Sequence, residues 1–509
     1  MMQSATTSLM QNIPHYADYI RILPELVLSI FGLAIMFIDP LMDERTSQKT
    51  LGGISLAGAL AALAATLFQA QPQYAGLGFW NMVRVDHFSI FFHFLVTAIT
   101  AVVILTSYEY MDVQQIRAGE YYGLILFGAV GMCLMSSAVE LVLIFIALEI
   151  SSISTYVLAG FRRRAAISSE SSVKYFLLGS FATAFFLYGV ALMFGATGST
   201  SIAVIGEKLA AGNSSLLIYA GVALMFVGLG FKVAAAPFHI WTPDVYEGAP
   251  SPVVGFMSTA PKAAVFAVLL RIVFEAHAPA TLWLVWVLAA LSMTIGNIAA
   301  LVQNNVKRLL AYSSIAHAGY LLVAFASLPS DGIPAAMFYT ASYAAMNVGA
   351  FAVVSHFANS GERYVAMEDY SGLGRRSPIL AATLTIFLLS LIGIPITGGF
   401  FAKFYVFSAA VQSHLMGLLI IGVLNSAIGA YYYLRIIVVM YMREEREEIP
   451  VTPIPAGLGL ALALSLAATI YLGVAPNRVL NYAQTSVNEL AGSPPAQASQ
   501  VNISPSHGQ

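Results

Sequence analysis

The 509 residues are 59% hydrophobic and 9% charged, where a soluble domain carries roughly 25% charged residues, and mean hydropathy is +0.79. So few charges cannot cover a water-facing surface, and the chain reads as an all-α polytopic membrane protein. A net charge of −2 and one cysteine, Cys133, exclude a basic nucleic-acid surface, internal disulfides and a cysteine-based metal cluster. GxxxxGK[ST], GxGxxG and HExxH are all absent, so no nucleotide, dinucleotide or zinc-protease motif is visible.

The opening stretch, MMQSATTSLMQNIPHYADYI, has no basic segment leading into an apolar run and does not read as a cleaved signal. About fourteen apolar stretches follow, each near the roughly 20 residues that cross a bilayer as a helix. They fall at 22–38, 51–69, 87–106, 121–137, 139–160, 172–196, 215–236, 252–275, 281–302, 306–328, 333–357, 378–411, 415–442 and 454–474. The seventh is expected to continue past a break to about residue 246. Residues 1–120 then hold spans one to three, 121–275 spans four to eight, 276–442 spans nine to thirteen, and 443–490 span fourteen. Residues 491–509, rich in Ser, Pro, Gln and Asn, read as a disordered tail.

Loop charges set the orientation. With the N-terminus outside, the cytoplasmic loops carry Arg45, Lys49, Arg117, Arg162, Arg163, Arg164, Lys174, Lys307, Arg308, Arg363, Arg375, Arg376, Arg443 and Arg446. The outer segments carry only Arg21, Arg84, Lys208, Arg271 and Arg478. This bias puts both termini on the outer side. Arg162–Arg164 reads as a topology signal, and Lys307 and Arg308 as interface anchors.

The remaining basic residues, Lys232, Lys262, Lys403 and Arg435, fall inside spans. Arg435 lies near a span end and can snorkel. Glu149 in VLIFIALEISSISTYVLAG, Lys232, Lys262 and Lys403 sit too deep for that. Ionisable groups at such depth are costly and face a bundle interior or water. One Glu–Lys pair could be helix glue, but here three lysines face one glutamate. A buried lysine can lose several pKa units and then exchange a proton near neutral pH. A series of such groups is what a proton path requires. Lys232 is followed by AAAPF and Lys403 is preceded by GIPITGG, so both sit at expected helix breaks, which are tolerated where they line a polar cavity. The breaks fall in spans seven and twelve. That odd offset of five reverses direction through the membrane, so repeats of spans four to eight and nine to thirteen must be inverted. His317, mid-span in LLAYSSIAHAGYLL, and His239, after the first break, are the natural connectors. His93 reads as a satisfied core histidine. Glu140 has two readings: an acid group at the proton intake, or a helix-start charge at the interface.

The stretches LEISSISTYVLAG, GFKVAAAPFHIWTPDVYEGAPSPVVGFMSTAPKAA and GIPITGGFFAKFYVF together resemble the antiporter-like membrane subunits of respiratory complex I, over nearly the whole length. Within that family the L type usually adds a long lateral helix, and the M type usually has glutamate where Lys403 stands, so the resemblance is to the bacterial N type. The resemblance implies a proton-translocating subunit of NADH–quinone oxidoreductase in the bacterial inner membrane. It implies that Glu149, Lys232, Lys262 and Lys403 form the proton relay, with His239 and His317 linking its halves and Glu140 at a less constant acidic position. It also implies no cofactor in this chain, with NADH, FMN, iron–sulfur clusters and quinone handled by partner subunits. The alternative is a subunit of a multisubunit cation/proton antiporter with no redox coupling. A solitary solute transporter and a purely structural subunit are more distant readings.

Overall fold

The computed structural model describes residues 14–42, 44–114, 116, 119–212, 215–275, 282–327, 331–358, 360–445 and 452–490. The predicted tail at 491–509 lies outside them, as do Arg117 and Arg446. Among the described residues 13 helices are long and apolar enough to cross a membrane, from Leu23–Leu41 to Ala456–Val474. The predicted twelfth span is two shorter helices, Pro378–Ile392 and Gly398–Gln412. A short antiparallel hairpin, Gly76–Gly78 with Val83–Val85, links spans two and three. The region assigned to span fourteen holds the span Ala456–Val474 and a further helix, Pro476–Leu490.

Most spans are apolar on every side, because lipid and the bundle interior are both apolar solvents. Polar and small residues therefore decide which face turns inward. Hydroxyls within spans return to carbonyls one turn back, as Thr97 does to His93 (2.7 Å) and Thr340 to Ala336 (2.7 Å). In Gly398–Gln412 the buried residues are Gly398, Gly399, Ala402, Lys403, Val406, Ala409 and Ala410, while Phe404 faces outward. A stripe of small residues brings this helix close to its neighbours and carries Lys403 inward with it. Spans eight, ten and eleven are the most enclosed, with 100%, 94% and 89% of their apolar windows buried. They are the core around which the others pack.

Both predicted breaks are present. Span seven, Leu216–Val233, ends at Ala234 in the left-handed conformation (φ 61°), before Pro237 and the short helix Trp241–Gly248. Pro378–Ile392 ends at Gly393 (φ 94°), whose N–H donates to Leu389, as does that of Ile394. A third break was not anticipated: span eight is two helices, Ser251–Met257 and Ala260–Glu275, parted at Ser258–Thr259. Pro261, which opens the second piece, is its sequence signal.

The packing of spans four to eight is repeated in spans nine to thirteen. In each set the first span packs on the second, the second on the third, the third on the broken fourth, the fourth on the fifth, and the fifth back on the first. The loops segregate to two faces. One gathers Arg162, Lys174, Lys307, Arg308 and Arg435; the other gathers Arg21, the hairpin, Arg271 and the final helix, whose Glu489 meets His87 at 2.5 Å.

Gly399 shows how tightly the second break is closed: a Cβ there would lie 1.8 Å from the carbonyl oxygen of Ser390. Gly399→Ala is expected to cost about 3 kcal/mol and to lower the thermal unfolding midpoint. Gly459→Ala, whose Cβ would meet only Ile454 at 3.8 Å, is the neutral control. Equal midpoints for the two variants would contradict this packing.

Candidate functional site

The three buried lysines stand in three different settings. Lys403 reaches back across the break that precedes it. Its ammonium donates to the carbonyls of Leu391 (3.1 Å) and Ile392 (2.8 Å) and to Ser426 Oγ (2.9 Å). Those carbonyls are among the last four of a helix, which have no partner within it. All three ammonium protons are thereby placed, and the negative end of the half-helix faces the positive charge. Gly393 makes room, since a Cβ there would meet Lys403 Cδ at 3.2 Å.

Lys262 follows the break in span eight and donates to Ser314 twice, to the carbonyl at 3.0 Å and to Oγ at 2.5 Å. Tyr343 donates its hydroxyl to the same Oγ at 2.8 Å. The ring of His317 stacks near Tyr343 (5.1 Å between centroids) and its Nδ1 meets Tyr339 Oη at 2.7 Å. Nε2 faces Tyr433 Oη at 3.3 Å, and that hydroxyl also bonds Ser313. Tyr320 packs 5.7 Å from His317, and Lys403 lies 5.0 Å over the Tyr320 ring. Polar side chains therefore run from Lys262 through Ser314, Tyr343 and His317 to the ring beneath Lys403, and every one of them is buried.

Lys232 is different. It is buried in the last turn before the first break, with its ammonium 4.8 Å over the Tyr156 ring and 5.2 Å over that of Tyr175. Cation–π contacts of this kind are worth about 2 kcal/mol when desolvated. No ion pair joins Glu149 to Lys232, and Glu149 Oε1 is buried without a hydrogen-bond partner. The ring pair occupies the ammonium in its place. Between Lys232 and Lys262 the wall is aromatic: Tyr175 stacks on Trp241 at 4.4 Å, and Trp241 meets Tyr246 at 6.0 Å. Tyr156 Oη, Tyr246 Oη and His239 Nδ1 are also buried without partners there, so the surroundings of Lys232 keep spare hydrogen-bonding capacity.

His239 sits in the break, half-buried, and bonds neither lysine. Glu140 caps span five: its Oε2 accepts from the N–H of Leu143 at 2.7 Å, the work of a helix-start residue. His93, read as a core histidine, is wholly buried with both ring nitrogens engaged.

Two buried ion pairs were missed. Lys307, read as an interface anchor, is fully buried and donates to Glu362 at 2.6 Å and to the carbonyl of Ala249 at 2.7 Å. Glu362 also accepts from Tyr110 (2.9 Å) and the N–H of Ser251 (2.7 Å), with Arg162 3.5 Å away. It joins spans three, eight and ten. Arg271, counted with the outer charges, is fully buried and pairs with Asp86 at 2.8 Å. Each pair joins residues far apart in the chain, so no local pattern announces it.

A helical bundle with buried lysines and a histidine strung through its core is the architecture of an ion-translocating membrane protein. The family described as NADH:quinone oxidoreductase/Mrp antiporter, TM, matches residues 138–429. The chain is 68% identical over 481 residues to NADH-quinone oxidoreductase subunit N 2 of Koribacter versatilis, covering 93% of this chain and 97% of that one. It is 49% identical over 478 residues to NADH-quinone oxidoreductase subunit N 1 of Solibacter usitatus, covering 93% and 98%. A chain of respiratory complex I from Thermus thermophilus superposes with a TM-score of 0.77 at 36% identity, covering 90% of this chain and 98% of that one. The chain belongs to this family of NADH:quinone oxidoreductase/Mrp antiporter membrane proteins, and among them it is similar to the N subunits.

The Glu362 cluster carries a pH dependence. Burial works against its charge, but Lys307 and Arg162 outweigh that and hold its carboxyl below the ordinary 4.5. A value depressed by folding gives stabilisation that is complete above the ordinary carboxylate range and is lost as pH falls through the depressed value. Glu362→Gln, which leaves Lys307 buried without its counter-charge, is expected to cost about 3–5 kcal/mol at neutral pH. Thermal melts across pH should show that gap narrowing on the acid side. A gap independent of pH would contradict the pairing.

Proposed function

We propose that this chain conducts protons as the N-type membrane subunit of a bacterial NADH–quinone oxidoreductase. The observation that carries this is the buried polar line from Lys262 through Ser314, Tyr343 and His317 to Lys403. A line of hydroxyls, an imidazole and amines passes protons, whereas a solute path would need a cavity of solute size. NADH, FMN, iron–sulfur clusters and quinone belong to partner subunits, and this chain sits in the inner membrane with its partners' membrane subunits around it. The face bearing Arg162, Lys174, Lys307 and Arg308 is the cytoplasmic one by the positive-inside rule, with both termini outside. Spans four to eight and nine to thirteen are inverted repeats, which their matching packing order supports.

In this reading Glu149 and Lys232 are the switch. The free carboxylate oxygen of Glu149 can swing toward the ammonium of Lys232, which is held only by rings. An opposite charge arriving or leaving changes a buried group's proton affinity by about 1–3 pKa units, each worth ~1.4 kcal/mol. When the carboxylate leaves, the proton passes by way of Lys262 and His317 to Lys403 and on to the outer side. His239 links the first break to this line, whereas Glu140, at the hairpin end of span five, stands on the release side and caps the helix. The family description also covers Mrp antiporters, so a cation/proton antiporter subunit is the second reading. Co-purification of flavin and iron–sulfur subunits with this chain separates the two readings.

Lys403→Ala and Glu149→Gln in the assembled complex are expected to lower the protons pumped per NADH oxidised. Lys403→Arg should do the same, because a guanidinium keeps the charge but does not give up its proton. Pumping is read in proteoliposomes against NADH turnover. Normal pumping in Lys403→Arg would remove Lys403 from the relay and leave it as a helix tie.

A further inference from the structure

Away from the central line, the first four spans enclose a second set of ionisable groups. Glu25 lies at the start of span one, one turn after Arg21, and is 5% exposed. Neither of its carboxylate oxygens has a hydrogen-bond partner. His93, on span three, is fully buried with its Nε2 3.4 Å from Glu25 Oε1. The same Nε2 is 2.9 Å from the carbonyl oxygen of Cys133, on span four. Nδ1 is 3.1 Å from Gln69 Oε1, on span two. The orientation of the Gln69 amide is fixed from its other end, since its Nε2 donates to the carbonyl of Arg21.

Both ring nitrogens of His93 therefore face oxygen acceptors. A neutral imidazole has one N–H and can satisfy one side only, whereas an imidazolium satisfies both and gives the Glu25 carboxylate its counter-charge. An interior site with three acceptors around one imidazole, one of them a buried carboxylate oxygen 3.4 Å from Nε2, is arranged to hold a proton between the two side chains. The other charged and titratable groups packed against it are few. They are the Cys133 thiol on span four, Asp86 before span three, and Arg271 on span eight, which binds Asp86 and the carbonyl of Ser136 (3.1 Å). Asp86 and Arg271 neutralise each other, so the proton on the Glu25–His93 pair is the local variable charge.

We infer that Glu25 and His93 form a second proton-binding site, apart from the lysine line, one helical turn below the face that carries the hairpin and the final helix. Its ligand is a single proton shared by the carboxylate and the imidazole. Arg21 marks that nearby surface: it donates to the carbonyls of Tyr74 and Ala75, beside the hairpin. The site thus gives the N-terminal three-span unit a proton-holding role on the face opposite the Lys307–Glu362 cluster.

The test is infrared difference spectroscopy of the assembled complex across a pH titration, comparing wild type with Glu25→Gln and His93→Gln. A shared proton predicts a carboxyl and an imidazole signal that titrate together in wild type, with both lost in either variant. Lys403→Ala should leave them in place, so this result is separate from that of the central relay. Unchanged spectra in Glu25→Gln, or an imidazole signal that survives there unaltered, would overturn the proposal. Should either variant fail to assemble, Gln69→Leu asks the same question by removing the acceptor opposite Nδ1. It should move the midpoint of the paired signal by at least about half a pH unit, and an unmoved midpoint would equally overturn it.

Discussion

An ammonium group inside a membrane bundle must place three N–H bonds where no water is guaranteed, and the rest of this structure follows from how that is done. Lys403 places all three on oxygen, two of them on carbonyls exposed by a broken helix. Lys262 places two on one serine. Lys232 has only two aromatic faces. The lysines thus form a series of decreasing restraint that ends at Lys232. A broken helix costs hydrogen bonds; here its loose carbonyls become the ligands of the charge, so each irregularity offsets the other.

The two halves share a packing order but not a lysine placement. In the first half Lys232 comes before its break, and the carbonyl of Phe231 is taken by the indole N–H of Trp241 at 2.9 Å. In the second half Lys403 comes after its break and takes such carbonyls itself. The Lys232 end has unpartnered polar atoms and rings around its ammonium, while the Lys403 ammonium has all three protons on oxygen. That division suits a path in which one end responds to a neighbour's charge and the other holds a proton until release.

Much of this was legible in the chain. Fourteen apolar stretches, Pro237 and GIPITGG gave the spans and two breaks, because apolar length and missing backbone donors are local properties. The depth of Lys232, Lys262, Lys403 and His317 was equally plain from position within a span. The break at Ser258–Thr259 was hidden by the long apolar runs on either side of it, although Pro261 marked it. Lys307 and Arg271 looked like surface charges because their partners, Glu362 and Asp86, are distant in sequence. The tyrosines that join His317 to the lysines could not be told from ordinary aromatic packing, since which ring faces a polar line depends on helix rotation. The open Glu149–Lys232 pair was likewise beyond reach, as side-chain orientation is a tertiary property.

The central claim is that the buried lysines exchange protons and do not merely bind helices together. Lys262→Met tests it most directly, because a hydrophobic side chain of similar volume in place of a buried charge is often neutral or stabilising. The account predicts an assembled complex with an unchanged or raised melting temperature, normal NADH oxidation by artificial acceptors, and proton pumping lowered in proteoliposomes. Full pumping per NADH in that variant would contradict it.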